Sequence, residues 1–258
     1  MEAPRRSPVD VGREQMISVC VPFYPWYRDY YRGEEVFDVL IKGLNKVEGI
    51  RRVELCLTDA GVEDIWINRK NPEGRKWDHR AFHKRLRAEF KGAVNYSWDK
   101  ECIHVSKEGH RRFWLAMAVA KSVRRASNEN ILIFGIDCYA PADLIEKFNS
   151  IVEEGTAWVP FAFNVPMGAP LQVVQTKPGF CWHTAKGIVG IKKSDYEKAG
   201  GYEECLDLIA TRTDSDFYNR ISKHLKIVQG REPALFHVGH KGSNASRFWR
   251  MDHVTNVV

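Results

Sequence analysis

Apolar positions along the chain fall into two kinds of run. MISVCVPFY (16–24) and RRVELCLTDAG (51–61) contain nearly continuous β-branched and apolar stretches, broken by Pro22 and Pro25 in the first and by Asp59 and Gly61 in the second. Between them, EEVFDVLIKGLNKV (34–47) repeats its apolar residues at Val36, Phe37, Leu40, Ile41 and Leu44, the 3.6-residue period of an amphipathic helix. Strand, helix, strand, with strands that do not alternate, predicts parallel strands covered on both faces.

The pattern continues downstream. A helix is predicted from Asp78 into the Phe82, Leu86, Phe90 series, then a short strand over AVNYSW (93–98) and a helix over HRRFWLAMAVAKSVRRA (110–126). ILIFGIDCYAP (131–141) reads as a buried strand brought to an end on Asp137, and ADLIEKFNSIVEE (142–154) as a helix opening after Pro141. The second half changes character. AWVPFAFNV and PLQVVQT read as short strands, GIVGIKKSDYEKAGGYEE (187–204) as a strand, a short helix and a Gly-Gly stop, DSDFYNRISKHL (214–225) as a helix, and ALFHVGH (234–240) as a strand closing on two histidines. The fold class that follows is one α/β domain with a mixed, mostly parallel central sheet flanked by helices and a more antiparallel C-terminal half.

Composition narrows the picture. The chain has 258 residues, 44% of them hydrophobic and 28% charged, values of an ordinary globular protein large enough for a sizeable core. It lacks an apolar run long enough to span a bilayer, and MEAPRRSPVDVGREQ (1–15) has no apolar signal region, so the expectation is a flexible leader and a cytoplasmic, soluble protein. Six dispersed cysteines without a CxxC pair predict reduced thiols. A net charge of +6 permits an anionic partner without requiring one.

Candidate chemistry sits where strands end, the edge at which open α/β sheets bind ligands. Asp59 follows VELCLT, Asp137 follows ILIFGI, Asp214 and Asp216 open a helix, and His237 and His240 close a strand. Each has a plain structural alternative: a turn acid, a helix cap in the favourable field of the N-terminus, a core or capping histidine.

Taken in order, SVCVPFY, LTDAG, the strand ending in GID, GIVGIKKSDYEKAGGYEE, TDSDFYNRI and FHVGH resemble the GT-A-fold glycosyltransferases. The resemblance is to the large inverting family that uses nucleotide-sugar donors, with a C-terminal half similar to β-1,4-galactosyltransferases and capsule polymerases. It implies a GT-A (Rossmann-like) domain over 16–245, with a nucleotide half to about 140, an acceptor half from about 141, and a C-terminal tail over 246–258. It further implies that Pro22 and Phe23 lie beside the nucleotide, that Asp59 holds uracil or ribose, and that Asp137 holds a divalent metal, Mn2+ or Mg2+, together with His240 or His237. Asp214 is the implied base, and Gly200, Gly201, Asp216 and Trp182 are the implied acceptor contacts. Two departures stand out: Gly135 occupies the place of the first acid of Asp-x-Asp, and Thr213 that of the Glu before the base.

These roles are chemically coherent. A divalent cation stabilises charge developing on a diphosphate leaving group, and a carboxylate can accept the acceptor's hydroxyl proton. Arg111 and Arg112, placed by the pattern at a helix start, are a candidate diphosphate contact or a solvated helix end. The segment 68–92 carries nine Lys or Arg against three acids, interleaved with Trp77 and histidines. It reads either as a solvated helix face or as the seat of an anionic acceptor, and nucleic acid with a hydroxymethylated base is one such acceptor beside a glycan. Two other classes stay open: a catalytically inactive sugar-nucleotide binder, and a nucleic-acid-binding protein whose acids are structural. Without a GxxxxGK[ST] loop, phosphoryl transfer of the P-loop kind is disfavoured.

Overall fold

In the computed structural model of the chain, the described residues are 16–25, 33–61, 77–105, 111–166, 182–184, 187–204, 213–230 and 235–239. The N-terminal half reads β1 (Ile17–Phe23), α1 (Gly33–Leu44), β2 (Val53–Asp59), α2 (His79–Glu89) and β3 (Ala93–Trp98). A small hairpin follows, β4 (Ile103–Val105) with β5 (Arg111–Phe113), then α3 (Leu115–Arg125), β6 (Asn130–Ile133), β7 (Cys138–Tyr139) and α4 (Leu144–Ile151). The remainder is β8 (Thr156–Trp158), β9 (Phe161–Pro166), β10 (Trp182–Thr184), β11 (Val189–Lys192), α5 (Lys193–Lys198), α6 (Thr213–Ile221), β12 (Lys226–Val228) and β13 (Leu235–Gly239).

Seven strands form the main sheet in the order β12-β8-β11-β6-β1-β2-β3. All run parallel except β11, which is antiparallel to both β6 and β8. Every residue of β1 and β2 is buried, as their uninterrupted apolar sequences require of central parallel strands. One core cluster packs α1 and α2 on one face: Phe37, Leu40 and Leu44 of α1 and Phe82 and Leu86 of α2 are shielded with Val19, Val21, Leu55 and Leu57. The other face buries Cys20 and Cys56 with Ala116, Val119 and Val123 of α3 and Phe217 and Ile221 of α6. The four described cysteines, Cys20, Cys56, Cys102 and Cys138, are free thiols in the interior.

The chain leaves β1 toward β2 and β3 on one side and returns to β6 on the other, so the sheet reverses direction between β1 and β6. That crevice, at the carboxyl ends of the strands, is where this architecture places ligands. Pro22 marks it. The Cys20 carbonyl accepts from the Phe134 amide, so with the two-residue period of a strand the Pro22 nitrogen faces the same side. The last β1–β6 pair is Cys20 with Ile133, and beyond it a missing N–H costs no ladder bond.

The pattern misplaced two boundaries. The predicted 110–126 helix begins only at Leu115, because Arg111–Phe113 pairs with β4, a strand too short to signal itself. Phe113 stacks on Tyr24 at 5.2 Å, which draws this segment away from the helix. The strand predicted to end on Asp137 stops at Ile133. Residues 134–137 turn, with the Cys138 amide bonded to the Gly135 carbonyl at 3.2 Å, and lead into β7 of a second sheet ordered β10-β9-β13-β7.

Candidate active site

Asp137 lies in the turn that carries the chain from the main sheet to the second, just past the carboxyl end of β6. It is partly exposed, and the Cys138 thiol approaches its Oδ1 at 3.6 Å. Burial, with the Asp137 charge beside it, pushes the Cys138 thiol well up from its usual range and keeps it protonated. A Cβ at Gly135 would stand 2.7 Å from Asp137 Oδ1. The position that departs from Asp-x-Asp is therefore one where, in this conformation, a side chain would crowd the carboxylate that remains.

Asp214 lies in the first turn of α6. Its Oδ1 accepts from the Tyr202 hydroxyl at 3.1 Å, and a Cβ at Gly187 would come within 2.9 Å of its Oδ2. Burial raises its pKa above the ordinary carboxylate value; the Tyr202 bond works against this and the charge of Asp137 adds to it. The two acids, 77 positions apart, thus share one electrostatic neighbourhood. Tyr202 was missed by the sequence reading. It is 4% exposed, stacks on Phe217 at 4.5 Å, and its own hydroxyl is held protonated by burial and by Asp214. Its only signal was a lone aromatic after the Gly-Gly stop.

Asp59 is different in kind. It is fully buried; Oδ2 accepts from Trp77 Nε1 at 2.8 Å and from the Tyr96 hydroxyl at 2.5 Å, and Oδ1 from the Gly61 amide at 2.7 Å. Burial outweighs these donors and lifts its pKa from 3.8 to about 6. Phe23 is also withdrawn: it is wholly buried, stacked on Phe82 at 4.6 Å and tilted against Trp77 at 5.5 Å. Its ring belongs to the core, so a place beside a nucleotide would fall to its backbone. Pro22 is buried in β1 opposite Thr58.

The Gly-Gly segment stops α5. Gly200 and Gly201 have φ of 79° and 59°, and their amides bond back to the carbonyls of Glu197 and Tyr196. Asp216 accepts from Arg220 Nε at 2.8 Å, and Arg220 Nη1 reaches the Ala199 carbonyl at 3.1 Å, tying α6 to this stop. These three expected acceptor residues thus have structural duties of their own.

The histidines are placed through backbone register. His237 pairs with Cys138, so β13 lies against the strand that follows Asp137; His240 falls outside the described residues. Trp182 pairs with Phe163 on the far edge of the same sheet, three strand steps or about 14 Å from β7. Arg111 and Arg112 are hairpin residues rather than helix-start residues, Arg112 pairing with His104. Among the described residues no group of three or more His, Cys, Asp or Glu could by itself hold a metal ion. A site completed by a substrate's phosphates needs only one or two protein carboxylates, and Asp137 and Asp214 are hard oxygen donors of the type Mg2+ and Mn2+ favour.

No protein-family profile and no curated protein sequence matches the chain. Solved structures do. TarS 1-349 of S. aureus in complex with UDP-GlcNAc superposes with a TM-score of 0.58 at 12% identity, over 92% of this chain and 62% of that one. The same protein with UDP gives 0.57 at 11%, over 87% and 61%. The mannosyltransferase PcManGT from Pyrobaculum calidifontis in complex with GDP-Man and Mn2+ gives 0.54 at 13%, over 92% and 62%. The chain spans about six tenths of the length of these neighbours. Likeness at this identity speaks to architecture, and the architecture of this chain is the GT-A glycosyltransferase fold.

Proposed function

We propose that the chain transfers a sugar from a nucleotide-sugar donor to an acceptor hydroxyl with inversion, using a divalent cation. The observation that carries this reading is the pairing of Asp137, at the mouth of the β1–β6 crevice, with Asp214, whose carboxyl feels the Asp137 charge. Asp137 would hold the cation, with His237 or His240 as a further ligand and the donor diphosphate completing the set. Bound there, a divalent cation supplies neutralisation of the charge that collects on the departing diphosphate. Asp214 takes the acceptor proton on its carboxylate. A raised pKa suits that task, because a base works best when its pKa approaches the working pH. Tyr202 fixes the carboxylate's orientation through the bond to Oδ1. With the base on the face opposite the leaving group, the anomeric carbon inverts.

Asp59, locked by Trp77 and Tyr96, shapes the crevice wall. A direct contact to uracil or ribose would need one of those donors displaced. The donor is proposed as a UDP-sugar: of the neighbours above, TarS is solved with UDP and UDP-GlcNAc, and PcManGT with GDP-Man. Similarity of the C-terminal half to β-1,4-galactosyltransferases rests on the sequence stretches 187–204, 213–221 and 236–240. Among the described residues no helix is long and apolar enough to cross a membrane.

Calorimetric titration with UDP-glucose, UDP-galactose, UDP-GlcNAc and UDP-GalNAc, with and without Mn2+, tests the reading on wild type and Asp137→Asn. Mn2+-dependent binding that disappears in the variant is expected. Binding that survives the substitution unchanged would remove Asp137 from the metal site, and an inactive binder would bind donor yet leave it uncleaved.

A further inference from the structure

At the β3 edge of the main sheet, α2 and β3 line a groove of about 570 Å³. Arg80, Lys84 and Arg87 line it at intervals of four and three, one stripe along the exposed side of α2, and all three are exposed. At 1.5 Å per residue the stripe runs about 10 Å. The acids of this helix are spent elsewhere: Asp78 caps the helix by accepting from the Arg80 and Ala81 amides, and Glu89 pairs with Arg85, which also holds Asp38. Among the described residues, the side chains of Arg80, Lys84 and Arg87 have no ion pair.

Flat π-systems lie beside these cations. His79 stacks on Trp98 at 4.2 Å with planes 3° apart, and His83 stacks on Tyr96 at 4.4 Å and 12°. All four rings are partly exposed at the groove. Burial, with the Arg87 charge beside it, lowers the His83 pKa, so that the imidazole is neutral at neutral pH. Cations at helical spacing alone would describe a solvated face. Layered aromatic pairs alone would describe an edge strand covering its side. Together, with no acid among the described residues that line the groove, they are the two components of a single-strand surface: charge for phosphates and planar rings for bases.

The groove also has a direction. Trp98 ends β3 opposite Asp59, and so lies at the carboxyl edge of the sheet, with the start of α2 beside it. Three strand steps, about 14 Å, separate β3 from β6, whose end leads to Asp137. We propose that the groove between α2 and β3 binds a single strand of nucleic acid, its phosphates on Arg80, Lys84 and Arg87 and its bases against the His79–Trp98 and His83–Tyr96 pairs. That the strand is also the sugar acceptor rests on the transfer reading above; the binding itself does not.

Fluorescence anisotropy of the full chain tests this with a labelled oligo-dT strand of about twenty nucleotides, longer than a usual site. An abasic strand of equal length and heparin serve as comparisons. The Arg80→Glu, Lys84→Glu, Arg87→Glu variant changes only exposed side chains, and Lys84→Glu alone is the milder check. The expected result is at least tenfold weaker oligo-dT binding by the triple variant, with a log–log salt dependence shallower by about 2, near 0.7 for each lost contact. The abasic strand and heparin are expected to bind wild type at least tenfold more weakly than oligo-dT. Wild type that ignores oligo-dT, or a triple variant that binds it as well as wild type, would overturn the proposal. Equal binding of the abasic strand or heparin would leave a bare polyanion site and overturn the base contacts. Donor calorimetry on the same triple variant separates the two readings: strand binding lost with donor binding kept isolates the groove from the crevice.

Discussion

Asp59 and Asp214 began as the same kind of observation, an acid at the boundary of a predicted element, and became opposites in the fold. Asp59 is fully enclosed, with three donors on its two oxygens. Asp214 is partly exposed, with Tyr202 as its one donor among the described residues and Asp137 as a like charge nearby. Both pKa values rise and burial is the first cause of each, so the shift alone does not separate a structural acid from a reactive one. The donor count does. A carboxylate saturated by the chain holds the chain together, whereas one left with spare lone pairs beside another acid can take a cation or a proton.

That contrast can be broken most severely at the proposed base. Asp214→Asn is expected to lower turnover, read as donor consumption, by 10² to 10⁴ while donor binding by calorimetry persists. Equal loss of both would make Asp214 a binding residue. At the other acid the effect is on folding. Asp59→Ala removes the acceptor of the Trp77 indole and the Gly61 amide and one of the two acceptors of the Tyr96 hydroxyl, and is expected to lower unfolding free energy by roughly 3 kcal/mol in urea titration.

The pH dependence of stability sharpens the same point. The folded chain keeps a proton on Asp59 that the unfolded chain releases from 3.8 upward, so the contribution of this group to stability falls as pH rises from 3.8 to about 6 and is flat above. The full swing is about 3 kcal/mol. Asp59→Asn is expected to flatten that part of the curve, and an unchanged slope would place the titration elsewhere. Smaller again, Tyr202→Phe removes one hydrogen bond, for about 1 kcal/mol of stability, and raises the Asp214 pKa further. The slightest effect is on the Asp214 pKa itself: Asp137→Asn, beyond its expected loss of donor binding, removes a like charge and moves that pKa down, as a carboxyl-carbon NMR titration would read.

Much of the main sheet was legible. AVNYSW is β3 residue for residue, and the central strands β1 and β2 lie inside the stretches that predicted them. Short apolar runs rich in β-branched residues and bounded by turn residues favour a strand buried on both faces, so local sequence goes far here. Short strands were not legible. β4, β7 and β12 have three residues or fewer; β7 and β12 exist only because a distant strand pairs with them, and β4 because β5 folds back on it.

The site divides the same way. Sequence alone determined which residues could carry chemistry, since the acids at strand ends follow from where apolar runs stop. It also determined the cations at helical spacing in α2, because that period is local. Only the tertiary structure decided which acid was spent. Trp77 and Tyr96 close over Asp59 from 18 and 37 positions away, while Tyr202 and the Asp137 charge define Asp214. Burial and hydrogen-bond saturation are properties of neighbours in space, and a sequence lists its neighbours only along the chain.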